Sequence, residues 1–266
     1  MALSVHGAGA SFGDSISPVI VGAILLATHW RLVMQLHLLP AFVVAVVLAW
    51  SLRGVYKDSG PKPTFRSYLG GIRDMLRNTQ VLGVTASNTI SSMARLAVGT
   101  FLPIYISETL GYSSFVLGIY LALLYVMGLI SQPIMGSISD KRGRKGTLIV
   151  AFSLLSVLFL LMILVPGGIW LGLVIAAAGC FFYGTANITT AAVMDVAGDN
   201  VQSSSMGVMS LASQPFTLLS PVITGFLVEG YGMHAAFWYA AVLQAVSTVI
   251  LIPIKFKKPQ PKSSGH

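Results

Sequence analysis

Eighteen consecutive residues from Leu148 to Val165, LIVAFSLLSVLFLLMILV, contain no ionisable side chain. Coiled as a helix, such a run covers most of the ~30 Å hydrocarbon core of a bilayer. A second run, GIYLALLYVMGLISQPIM, occupies residues 118–135, and others recur along the chain. Barrel strands would instead show segments of about ten residues with alternating polarity. Only 9% of the 266 residues are charged, about a third of the ~25% usual in soluble domains. The chain is therefore predicted to be an all-α polytopic membrane protein. The expected spans are eight: 3–27, 33–52, 80–104, 115–137, 147–165, 168–190, 206–228 and 234–254.

A formal charge of +8 raises the question of an anionic partner. The cations answer it by where they sit. Arg53, Lys57, Lys62, Arg66, Arg73 and Arg77 fall in one loop, Lys141, Arg142, Arg144 and Lys145 in another, and Lys255, Lys257, Lys258 and Lys262 in the tail. The opposite loops hold only Arg31. This is the positive-inside distribution, which predicts both termini in the cytoplasm and a location in the plasma (inner) membrane, and gives no reason to invoke nucleic acid. Residues 54–79 form the basic linker, in which Phe65, Leu69, Ile72 and Leu76 keep helical spacing. That pattern suits a basic helix lying on the membrane surface, and equally a plain solvated linker. Cys180 is the single cysteine, so no disulfide framework or cysteine metal site is available.

Two stretches repeat. Residues 17–22 read SPVIVG and residues 220–225 read SPVITG, each within a span. Small residues permit close helix packing, and a proline bends a helix where neighbours re-satisfy its backbone. The two copies lie six spans apart, an even offset that preserves orientation, so a parallel six-span repeat explains the match better than chance. Two such units need twelve spans, which leaves four expected on the N-terminal side of this chain.

Against this apolar background, Asp140-Lys141-Arg142-Gly143-Arg144-Lys145 puts five charges into six residues. Together with Gly136 it reads G-x-x-x-D-K-x-G-R-K. This resembles the G-x-x-x-D-[RK]-x-G-R-[RK] signature of the major facilitator superfamily, found in cytoplasmic loops between the second and third helices of each six-helix half. The resemblance implies a helical bundle holding helices five to twelve of twelve. Residues 1–53 would then be the last two helices of the N-terminal half, 54–79 the cytoplasmic linker, 80–254 the complete C-terminal six-helix half, and 255–266 a basic cytoplasmic tail. It also implies alternating access, with the charged turn as a gate latch formed by Gly136, Asp140, Lys141, Gly143, Arg144 and Lys145. Asp140 can accept hydrogen bonds from Arg144 or from a facing helix N-terminus. A topology anchor would need the four cations but neither Asp140 nor the two glycines.

Gly13-x-x-x-Ser17-Pro18-x-x-Val21-Gly22 is similar to the fifth-helix motif G-x-x-x-G-P-x-x-G-G that the family associates with antiporters, with Ser17 and Val21 replacing two glycines. The resemblance implies export in exchange for protons. A packing-only role for Gly13, Ser17, Pro18 and Gly22, and for Pro221 and Gly225 in the second copy, fits the same residues.

Ionisable groups at bilayer depth cost ~2.5–3.5 kcal/mol each on insertion scales, so each is a functional candidate. Arg95 shares a helical face with Asn88, Ser91, Ser92 and Gly99. Such a stripe reads as a cavity wall, where the planar guanidinium suits a carboxylate or phosphate; pairing with an acid on another helix is the rival role. Asp14, the one acid deep in a predicted span, suits a proton carrier because desolvation raises a carboxyl's pKa; it can also pair with Arg95 or face cytosolic water. Gln132, Asn187 and Gln214 complete the predicted substrate cavity, with Tyr120, Tyr125 and Tyr183 as amphipathic rings. No metal site, cofactor site or enzyme motif is evident. The predicted function is secondary active transport of a small solute, proton-coupled and directed to efflux of drug-like compounds. The alternatives are proton-coupled uptake of an organic anion and a non-transporting membrane protein. Expected partners are a small-molecule substrate, protons, the lipid bilayer and an N-terminal half.

Overall fold

The computed structural model describes residues 2–51, 53, 78–197 and 202–254. The basic linker with its surface-helix pattern and the basic tail therefore lie outside the described residues, as does the Asp14 side chain. Nine helices account for the described residues: α1 (Ala2–Ala27), α2 (Trp30–Ser51), α3 (Thr79–Ile104), α4 (Ser114–Arg142), α5 (Arg144–Leu164), α6 (Ile169–Phe182), α7 (Gly184–Ala197), α8 (Gln202–Tyr231) and α9 (His234–Leu251). Helices α6 and α7 together make one pass, so the described residues form eight helical rods near the expected boundaries. Six helical segments among the described residues are long and apolar enough to span a membrane. The chain is an all-helical integral membrane bundle.

The ends of the helices follow from local chemistry. Asn78 caps α3, its Oδ1 accepting from the backbone N–H of Gln80 and Val81 at 3.1 and 3.3 Å. Helix α3 closes in a π-helical turn, Tyr105–Thr109, in which Leu110 N–H donates to Tyr105 O. Gly143 separates α4 from α5 with φ +95°, a conformation that strains any side chain.

The core lies among α3, α4, α5, α6, α7 and α9. One cluster gathers Leu102, Leu124, Phe159, Ile175 and Phe237, and a second Val84, Leu148, Phe152, Val193 and Leu251. In lipid, burying apolar surface adds little drive, so close packing and interhelical hydrogen bonds must hold the helices together. Helices α1 and α4 meet through glycines. A methyl group on Gly22 would stand 2.6 Å from Ser114 O, and one on Gly118 2.5 Å from Pro18 O. The pairings 22 with 114 and 18 with 118 make the two helices antiparallel. Helices α3 and α9 meet through serines: Ser87 Oγ donates to Ser247 O at 2.9 Å, and Ser247 Oγ to Ser87 O at 2.7 Å.

The repeated motif thus packs differently in its two copies. In α1 the contact falls on Pro18 and Gly22, while Ser17 is exposed and a methyl on Gly13 would meet nothing within 4 Å. In α8 the anchoring atom is the Ser220 hydroxyl, which donates to Met93 O of α3 at 2.7 Å. A methyl on Gly225 would touch only Phe101, at 4.0 Å, an ordinary contact. Helix α2 buries only Val33 and leaves its large apolar residues, from Trp30 to Trp50, exposed.

Candidate functional site

Arg95 points its guanidinium at hydroxyls. Nη2 donates to Ser92 Oγ at 2.8 Å, and Nη1 donates to Ser91 Oγ at 2.8 Å and to Thr185 Oγ1 at 3.3 Å. Ser91 and Ser92 lie one turn back on α3, the spacing at which helical side chains face one another. Thr185 comes from the first turn of α7, past a break at Tyr183 that splits the sixth pass. These acceptors are neutral. They satisfy N–H groups but bring no negative charge, and both ion pairs among the described residues belong to Arg144.

The position of Thr185 depends on how α6 seats on α4. A methyl on Gly179 would strike Leu124 O, and one on Gly128 would come to 2.7 Å from the Tyr183 ring. Ser131 Oγ donates to Cys180 O at 2.6 Å across the same interface. This close approach carries Asn187 to Gln132, where Nδ2 donates to Oε1 at 3.2 Å. On the other side of α3, Thr89 Oγ1 donates to Ser213 Oγ at 2.8 Å, tying in α8 beside the exposed Gln214. Asn88, the neighbour of Thr89, is buried.

Of the predicted cavity residues, the structure joins Ser92 with Arg95 and Gln132 with Asn187. It adds Thr185, which sequence reasoning passed over. Tyr125 and Tyr183 stack at 5.4 Å between ring centroids. Tyr120 belongs elsewhere: it is buried and donates to Gly168 O at 2.9 Å, in the loop that precedes α6. A groove of about 540 Å³ opens between α8 and α9, lined by Leu227, Tyr231, His234, Trp238 and Tyr239 among others, and includes none of the predicted site residues.

The charged turn has a geometry of its own. Arg144 Nε lies 2.7 Å from Asp195 Oδ2, near the C-terminal end of α7. Its Nη2 is 3.8 Å from Asp140 Oδ1. Asp140 is therefore the looser partner, 74% exposed against 40% for Asp195. Burial raises the Asp195 carboxyl above the usual aspartate range; the Arg144 charge works against that shift and Asp140 adds to it. Lys145 Nζ donates to Ile252 O, past the end of α9, at 2.6 Å. Lys141 and Arg142 are exposed. A methyl on Gly136 would meet nothing within 4 Å, and the glycine the turn requires is Gly143.

Asp195 was readable on physical grounds. The chain has only eight acids, and this one stands in the last turn of a helix, where the dipole disfavours negative charge. Such a carboxylate needs a nearby cation.

The family model described as the Major Facilitator Superfamily matches residues 1–217. Among curated proteins, the chain is 29% identical over 173 residues to the Multidrug resistance protein MdtG of Escherichia fergusonii, covering 62% of this chain and 42% of that protein. It is 28% identical over 171 residues to the Multi-drug resistance efflux pump PmrA homolog of Lactococcus lactis, with the same coverage. The MdtG of Serratia proteamaculans is 28% identical over 174 residues. The chain spans about two fifths of the length of these relatives, 42% in each case.

Proposed function

From the premise that this chain belongs to the major facilitator superfamily, we propose that it works as part of a secondary transporter exporting small organic molecules in exchange for protons. Residues 80–254 are the C-terminal half in this reading, residues 1–53 the last two helices of the N-terminal half, and the remainder of that half is a required partner. Alternating access then places the substrate between halves, against the α3–α7 face that carries Arg95. One observation carries the reading: a guanidinium inside a spanning helix, bound to three neutral hydroxyls from two helices, with no carboxylate partner among the described residues. A charge so expensive to place in a bilayer is retained for what it binds.

The names of the relatives favour export of drug-like compounds. The Arg95 fork favours a carboxylate or phosphate on the substrate, which also supports proton-coupled uptake of an organic anion as a second reading. At the cytoplasmic end, Arg144–Asp195 is read as the latch that holds the turn between α4 and α5 against α7, to be released as the halves rock. Asp14 remains the proposed proton carrier, and both termini are placed in the cytoplasm of a bacterial-type inner membrane.

The test is accumulation of a fluorescent drug-like dye and of a radiolabelled organic anion by pump-deficient cells producing the protein. Export predicts lower dye retention that is reversed by a protonophore and lost in Arg95→Ala. Higher anion uptake instead would select the second reading. Cells indistinguishable from controls in both assays would sink the transport proposal.

A further inference from the structure

Gln244 of α9 is completely buried, and neither its Nε2 nor its Oε1 meets a hydrogen-bonding partner among the described residues. A buried carboxamide left in that condition costs several kcal/mol in an apolar surrounding, and each such group needs an account. The packing of α3 on α9 supplies one. Ser87 meets Ser247, Gly83 faces Ile254, and Tyr105 meets Phe237 edge-to-face with ring centroids 5.2 Å apart, so the two helices run antiparallel. One turn onward along α3 is Ser91, and one turn back along α9 is Gln244. Both are 0% exposed.

Ser91 has a hydroxyl proton to place. Its Oγ accepts from Arg95 Nη1. The carbonyl an intrahelical serine would use, Ser87 O, already takes the Ser247 hydroxyl. We propose that Gln244 and Ser91 together hold one internal water molecule between α3 and α9, and that this water fixes the Ser91 hydroxyl and through it the direction of Arg95. By this register Gln244 and Ser91 bring three polar atoms to the same level of the α3–α9 interface, the number a buried water ordinarily binds. A metal cation does not fit the same place, because the Arg95 guanidinium stands one turn away. Gln244 is then a positioning residue for Arg95, whatever Arg95 itself binds.

Water-edited solid-state NMR on the full chain in lipid tests this directly. Transfer from water to the Gln244 side-chain amide, at a signal absent in Gln244→Leu, is expected; no transfer overturns the proposal. Thermal unfolding gives an independent sign. If the amide is satisfied by water, Gln244→Leu lowers Tm by several degrees, and adding Ser91→Ala lowers it little further. If the amide is an unpaired burden, leucine of similar volume raises Tm and the proposal fails. The positioning role is read from the Arg95 guanidinium 15N signal, which shifts in Gln244→Leu; an unmoved signal removes that role.

Discussion

Arg144 Nε stands 2.7 Å from Asp195 Oδ2 and so ties the turn between α4 and α5 to the C-terminal end of α7. This pair responds to pH in a direction that can be derived. Burial raises the Asp195 carboxyl in the folded protein. As pH falls from neutral toward that raised value, the folded state takes up a proton before the unfolded chain does. The Asp195 contribution to stability therefore increases on acidification, while the charge pairing to Arg144 is lost. Spin labels on the α4–α5 turn and the end of α7 should show a longer, broader distance distribution at pH values just above the ordinary aspartate range, ~3.9. In Asp195→Asn the distribution should no longer change with pH. Over the same window, Tm of the natural chain relative to Asp195→Asn should rise as pH falls.

Arg95→Ala separates function from stability. The substitution removes a cation whose placement in a bilayer costs ~2.5–3.5 kcal/mol on insertion scales. Ser92 and Thr185 lose a donor but remain able to bond carbonyls of their own helices, and Ser91 keeps its hydroxyl proton to donate. Tm in detergent should hold or rise by a few degrees, while transport falls to background. Arg95→Lys, which keeps the charge but not the planar fork, should retain the fold and recover little activity. A variant that unfolds would identify Arg95 as a structural residue.

The α1–α4 contact predicts opposite outcomes for two glycines of one helix. Gly22→Ala forces a methyl to 2.6 Å from Ser114 O, a backbone atom that cannot swing aside. Overpacking of this kind costs about 1–3 kcal/mol. At Gly13 a methyl meets nothing within 4 Å, and alanine improves helix propensity by up to about 1 kcal/mol. Thermal unfolding should show Gly22→Ala destabilised and Gly13→Ala unchanged or more stable. Equal losses would mean that α1 packs on another face.

The spans were readable because the membrane imposes a length and a polarity that each segment must meet alone. The broken sixth pass, split at Tyr183, starts where expected but runs on beyond residue 190, its second helix ending at Ala197. The contacts between spans were another matter. Sequence reasoning paired Asp140 with Arg144 or with a facing helix N-terminus, whereas the acid closer to Arg144, Asp195, comes within reach only once α7 is folded against the turn. Thr185 was missed for the same reason: threonine is common in such helices, and only the approach of α6 to α4 through Gly128 and Gly179 brings it to Arg95. Ser92 and Asn187 were found because polar residues in a bilayer stand out one at a time. Gln244 stands out as clearly, yet its interest lies in having no partner among the described residues, which only the packed structure can reveal.

The charged turn offers a last discrimination, between a latch and an anchor that fixes topology. An anchor depends on Lys141, Arg142, Arg144 and Lys145 as charges and is indifferent to backbone shape. A latch needs Arg144 delivered to Asp195, and that delivery passes through Gly143 at φ +95° and ψ 138°. A side chain in such a conformation costs about 1–3 kcal/mol. Gly143→Ala should therefore strain or straighten the junction and lengthen the Arg144–Asp195 distance, with transport reduced although every charge remains. Gly136→Ala, where nothing lies within 4 Å of the added methyl, should behave as the natural chain. The comparison needs membrane insertion measured alongside transport: insertion normal in both and transport impaired only in Gly143→Ala supports the latch. Transport normal in both would leave the turn as an anchor, since the strained glycine would then serve nothing the charges do not already supply.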